Sequence, residues 1–141
     1  MSHPRPWLIA VALSAGGCAF VQHPPAVSQN RELEAFAAAA AYPNSEPAVA
    51  ILAAQQYMAA RREQEGYEYF RRLAGEQPER PILLSLEGLM QARMAGDVPL
   101  LRRVGWVEEA IGKLDRAAQA EPVGGRLVRG LVFAELPARF G

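Results

Sequence analysis

Apolar residues along this chain recur at helical spacing, and the breaks between them fall at proline and glycine. Runs of alternating β-branched and polar residues are absent, so no segment reads as a strand. Asn30 is placed to cap a helix that opens Arg31-Glu32, with acid in the first turn, and ends near Ala41. Ser45 or Glu46 then leads into Pro47, a favourable first-turn residue for the next helix. Leu86, Leu89 and Ala92 form one apolar stripe ahead of Ala95-Gly96-Asp97, while Ala110, Leu114 and Ala117 form another ahead of Pro122. Gly75, Pro78, Gly124 and Pro137 mark further breaks, and the fold class that follows is all-α.

The spacing also repeats. Pro47 to Arg80 is a unit of 34 residues that sets Tyr57 late in a first helix, Gly66 and Phe70 in a second, and Pro78 at its close. A second unit runs from about 82 to 122, with Glu121-Pro122 at its end and an extra nine-residue segment, VPLLRRVGW, between its turn and its second helix. A third begins at Arg126, where LVRGLVFAELP parallels SLEGLMQARMA and aligns Gly130 with Gly88. These features resemble degenerate tetratricopeptide repeats. The resemblance implies antiparallel helical hairpins at about 47–80 and 82–122, a half repeat at 126–141, and a right-handed array over residues 31–141. Repeats need neighbours to bury their faces, so Leu127, Leu131 and Phe133 of the half repeat are expected to seek cover, including from a second copy.

The amino-terminal residues read differently. Arg5 precedes an uncharged, mainly apolar run from Trp7 to Ala15, and the small residues Ala15-Gly16-Gly17 lead to Cys18. That layout fits a cleavable signal and is too short for a bilayer-spanning helix of about 20 apolar residues. With its cysteine at the boundary it resembles a bacterial lipoprotein signal, although Ala15 stands where that family prefers leucine. The resemblance implies removal of residues 1–17 and acylation of Cys18. Ala19, in place of an aspartate, implies the outer membrane facing the periplasm. Pro24-Pro25 within FVQHPPAVSQN predicts a flexible tether over residues 18–30.

Composition narrows the function. Fifteen basic and fifteen acidic side chains cancel, leaving no basic field for nucleic acid, and one cysteine excludes a disulfide framework. Loss of Arg5 with the signal makes the mature chain −1. The only histidines are His3, in the signal, and His23, in the tether, so the body offers no imidazole base or metal ligand. Ser45 and Ser85 lack a nucleophile-elbow setting, and no phosphate-cradling glycine loop is present. Glu63, Glu65 and Glu68 alternate with arginines as a solvated helix face does, and Glu87 reads as a boundary residue of an apolar helix. Neither catalysis nor a cofactor is expected from this chain.

Binding is the remaining chemistry. In arrays of this kind the first helix of each hairpin lines a concave surface. By position that surface takes Ile51, Gln55, Met58, Met90 and Arg93, with Arg129 from the third unit. Methionines offer an adaptable apolar floor and arginines grip carboxylates; core filling is the other reading of the methionines. VPLLRRVGW has two readings as well. It is a surface insertion presenting Leu100, Leu101 and Trp106 around Arg102-Arg103, or an extension of the following helix with Pro99 in its first turn. The expectation is a noncatalytic, lipid-anchored envelope protein whose helices bind an unknown protein partner. The alternative is the accessory amino-terminal portion of an envelope-associated enzyme whose catalytic part lies outside this chain.

Overall fold

Prolines set the helix starts. The structure, a computed structural model, describes residues 26–135. It comprises α1 (Ala26–Ala40), α2 (Pro47–Ala59), α3 (Glu63–Glu76), α4 (Pro81–Arg93), a 3₁₀ turn (Met94–Gly96), α5 (Leu100–Ala120) and α6 (Pro122–Glu135), with no strand among the described residues. Pro47, Pro81 and Pro122 each occupy the first helical position, where the missing N–H costs nothing, and Pro99 precedes α5 as its N-cap. The chain is therefore all-α over the residues described. The expected signal, Cys18 and the two histidines lie outside them.

Three boundaries differ from the sequence expectation. α1 opens at Ala26, directly after Pro24-Pro25, so the last five residues of the expected tether are helical and Asn30 lies within α1 rather than capping it. No breaker separates Ala26 from Arg31, and alanine-rich sequence propagates helix once begun. α5 starts at Leu100, which makes most of VPLLRRVGW an extension of the second helix. α6 starts at Pro122, four residues before Arg126: that proline opens a helix as well as following one.

The α2–α3 turn is a Schellman motif. Arg61 adopts a left-handed conformation, φ 56°, and the N–H groups of Arg61 and Arg62 donate to the carbonyls of Met58 and Tyr57 at 3.1 and 2.9 Å. α1 is secured by polar bonds to its carboxyl end, whose carbonyls have no partner within the helix. Arg80, just before α4, donates to the carbonyls of Ala40 and Tyr42 at 3.0 and 2.9 Å and to the Ser45 hydroxyl at 2.7 Å. Gln77 reaches the Ala41 carbonyl at 2.8 Å, and the Tyr69 hydroxyl donates to Ala37. Burial pushes that phenol up to about 12.

Short connections make consecutive helices antiparallel neighbours, and each packs on the next. α4 additionally touches α2 and α6, and its residues are buried on every side, from Ile82 and Leu83 through Ser85 to Ala92. A helix apolar all round belongs inside a domain, and α4 is the axis of this one. Phe70, Leu73, Leu83, Leu86, Met90 and Leu114 form the fully enclosed heart of the core.

Close approach depends on glycine at three of these interfaces, and at the α4–α5 contact a Cβ on Gly88 would stand 3.0 Å from the Ala110 carbonyl oxygen. A Cβ on Gly66 would stand 3.0 Å from Tyr57 Cβ and 3.1 Å from Met90 Sδ. On Gly125 it would stand 2.6 Å from the Cα of Ala118, which is backbone and cannot step aside. Gly130, which the repeat alignment matches to Gly88, faces nothing within 4 Å. The interior face of α6 is instead Gly125, Val128 and Val132.

This contrast gives opposite signs for one chemical change. Gly125→Ala is expected to destabilise by about 1–3 kcal/mol through overpacking. Gly130→Ala is expected to stabilise by about 0.5–1 kcal/mol, because helical glycine there only adds unfolded-state entropy. Chemical denaturation of the two variants against wild type checks both.

Candidate functional site

The residues expected to bind do not form one concave floor. Gln55 is exposed on α2, and Met58 is half-buried against the core. Met90 is fully buried, which corrects its placement on a surface: α2, α3, α5 and α6 enclose α4, so the methionine fills core. Arg129 lies on α6, where it pairs with Asp115 at 2.6 Å and stacks its guanidinium over Phe133. Arg93, Arg102, Arg103 and Trp106 do gather, around the 3₁₀ turn between α4 and α5. Arg103 is occupied there, donating to the carbonyls of Gly96 and Val98 at 3.0 and 3.1 Å, so its guanidinium clasps the turn. Arg93 pairs with Glu63 at 3.7 Å, and Arg102 is exposed.

The most ordered polar constellation lies between α4 and α5 and centres on Lys113, the only lysine of the chain. Its Nζ donates to Glu87 Oε1 at 2.7 Å and to Gln91 Oε1 at 2.6 Å, and it pairs with Glu109 at 2.9 Å. Gln91 and Trp106 bond reciprocally: Gln91 Nε2 donates to the Trp106 carbonyl at 3.1 Å, and Trp106 Nε1 donates to the Gln91 carbonyl at 2.6 Å. Gln91 lies in the last turn of α4, so the indole satisfies a carbonyl the helix leaves open. Tyr67 of α3 closes the site, its ring 5.7 Å from the Trp106 ring and 5.5 Å from the Lys113 ammonium.

Burial alone would push the Lys113 ammonium down, but hydrogen bonds to Glu87 and Glu109 outweigh it and hold its pKa above the ordinary 10.5. The hydrogen bond from Lys113 holds the Glu109 carboxyl below its usual 4.5. A lysine held this firmly as the ammonium is an anchor for two carboxylates rather than a nucleophile, which requires the neutral amine. Glu87, 7% exposed at its side chain, is thus the inner partner of a buried ion pair and not a boundary residue.

The sequence singled out Glu87 but gave it a boundary role, and it assigned no role to Lys113, 26 positions on. The available signals were a lysine used once in the chain and a lone acid in an apolar helix. Among the described residues no cluster of three or more His, Cys, Asp or Glu side chains is arranged to hold a metal ion. A groove of about 280 Å³ lies at the opposite end of α4, lined by Ala74, Pro78, Pro81, Leu84, Arg116 and Ala120. Its size falls just under the usual range for a small-molecule site, about 300–1,000 Å³.

No protein-family model matches the chain, and neither a curated protein nor a solved structure is significantly similar to it.

The network implies a defined pH profile. Lys113, raised in the fold, contributes stability that is complete below 10.5 and is lost as pH climbs through its higher folded value. Buried Tyr57 and half-buried Tyr69, also raised, act in the same direction above 10.0. Glu109, lowered, contributes stability present above 4.5 and lost as pH falls through its folded value. The expected thermal midpoint is flat between about pH 5 and 10 and declines on both sides, as read by circular dichroism melts.

Proposed function

We propose that this chain is a noncatalytic, lipid-anchored envelope protein, tethered to the outer membrane on its periplasmic side, whose helices scaffold a protein partner. The observation that carries the reading is the order of residues at the amino terminus: Arg5, the apolar run Trp7 to Ala15, Ala15-Gly16-Gly17, then Cys18. An acylated cysteine explains why the only thiol of the chain stands where a signal would be cut. No helix among the described residues is long and apolar enough to cross a membrane, and a lipid anchor asks for none.

The body is read as tetratricopeptide-like hairpins, α2 with α3 and α4 with α5, followed by α6 as the first helix of a further unit. Supporting this, α2 and α4 touch, α4 and α6 touch, and α3 and α5 pack on the first helix that follows each. Stacked hairpins require those neighbours. With α4 enclosed, the surfaces left for a partner are the outer first helices: Leu52 and Gln55 on α2, and α6.

The second reading, an accessory portion working with an envelope enzyme, draws on the same docking surface as the first. α6 exposes Val123, Leu127 and Leu131 at four-residue spacing, roughly opposite its buried Gly125, Val128 and Val132. Such a face suits a covering helix from a partner, including a second copy of this chain.

Replacement of Cys18 by serine is the test of the anchor. The expected result is loss of fatty-acid labelling and release of the protein from the membrane fraction. Labelling and membrane retention equal to wild type would refute the reading.

A further inference from the structure

One exposed apolar surface points to a lipid partner because of where it stands in the fold. Leu100, Leu101 and Val104 at the start of α5 are 73%, 99% and 58% exposed. Helical geometry turns Leu101 and Val104 away from Trp106 and Ala110, which face inward. Leu100 stands in line with buried Val107, seven residues on, and is exposed because it precedes the first buried turn of α5. Further on, the side of Leu101 and Val104 carries Glu108, half-buried Ile111 and Asp115, so the exposed large apolar residues of α5 are those of its tip.

The electrostatics of the tip select the partner's charge. The first turn of α5 contains no acid and instead carries Arg102 and Arg103 beside the positive end of the helix dipole. Arg102 is exposed, and so is Arg61 in the α2–α3 turn. Asp97, two residues before the N-cap, is the one acid of this turn, and the two exposed arginines exceed it. An apolar tip beside an excess of positive charge is complementary to an anionic amphiphilic surface.

The path of the chain supplies the surface. A line of contacts joins the start of α1 to the start of α5: Arg62 donates to Asn30 at 3.4 Å, and Glu63 pairs with Arg93 at 3.7 Å. Arg93 leads into the 3₁₀ turn, whose Gly96 carbonyl accepts from Arg103 at 3.0 Å. The α5 tip and the entry of the chain into α1 are therefore at one end of the helix bundle. Only seven residues, 19–25, separate Cys18 from α1, and at full extension they reach about 25 Å.

We propose that the exposed tip of α5, Leu100, Leu101 and Val104 with Arg102, seats the helical domain on the anionic bilayer surface to which Cys18 tethers it. The tip supplies a second, reversible membrane contact, and it fixes which end of the domain faces the lipid. The proposal rests on the lipid-anchor reading for its setting but is tested without acylation.

The test is hydrogen exchange of residues 98–106 in the full-length Cys18→Ser protein, with vesicles of equal phosphatidylglycerol and phosphatidylcholine or of phosphatidylcholine alone. Binding through residues ahead of α1 leaves the exchange of this segment unchanged. The expected result is slowed exchange with the anionic vesicles only. That protection is lost in a further Leu100→Ser/Leu101→Ser variant and kept in Leu127→Ser on α6. Arg102→Gln is expected to weaken the anionic-vesicle contact about fivefold. Unchanged exchange on anionic vesicles overturns the proposal, as does equal slowing on both vesicle types. Slowing that rises with protein concentration in the absence of vesicles also overturns it, because the occupant is then a second copy. Fatty-acid labelling of Cys18 in cells is scored separately, so failure of the anchor and failure of the tip give different results.

Discussion

An ammonium group cannot be left unpaired between two packed helices, and this constraint organises the centre of the molecule. Lys113 of α5 is buried where α4 runs past it, and Glu87 and Gln91 of α4 lie one turn apart to receive it. Burying an ion pair is costly unless the remaining polar atoms are also satisfied. Here the second amide function of Gln91 is used by Trp106, and Glu109 meets the ammonium from the solvent side. A slide of α5 by one turn along α4 would strand a charge at each step. Leucines and alanines tolerate neighbouring registers better, although the close fit of Gly88 against the Ala110 carbonyl adds a steric constraint in the same place.

Register at that interface carries outward. α4 touches α2, α3, α5 and α6, so fixing α5 on α4 places the long helix relative to the whole domain. With α5 fixed, Trp106 docks on Tyr67 of α3, Arg103 clasps the 3₁₀ turn, and the first turn of α5 projects beyond both. At the other end, Arg80 and Gln77 hold the carboxyl end of α1 through four backbone carbonyls and a hydroxyl, counting the Tyr69 bond. The two ends are built differently: one is closed by polar bonds to carbonyls, and the other displays leucine and arginine near the entry of the chain.

Much of this was legible in the sequence because proline marks helix boundaries, although Pro122 was read as an end and is also a start. Pro47, Pro81, Pro99 and Pro122 stand at the first position of a helix or just before it. The helix content and the apolar stripes followed from spacing alone. The start of α1 was harder: capping by Asn30 competed with a start directly after Pro24-Pro25, and with no breaker between Ala26 and Arg31 the helix runs on to the prolines. The burial of Met90 and the pairing of Glu87 with Lys113 were not legible locally. Both depend on α4 being surrounded, which is a property of how five helices assemble rather than of thirteen residues. The misaligned glycine of α6 has the same origin: Gly125 is required by the backbone of Ala118 on another helix, while Gly130 touches nothing.

The claim on which the rest depends is that the Lys113–Glu87 pair sets the α4–α5 register. A double-mutant cycle with Glu87→Gln and Lys113→Met measures it most directly, by denaturant unfolding of the two single variants and the double variant. The account predicts a coupling of about 2–3 kcal/mol, with the double variant less damaged than the sum of the singles. Additive losses, with coupling under about 0.5 kcal/mol, would contradict it and leave apolar packing as the sole determinant of the register.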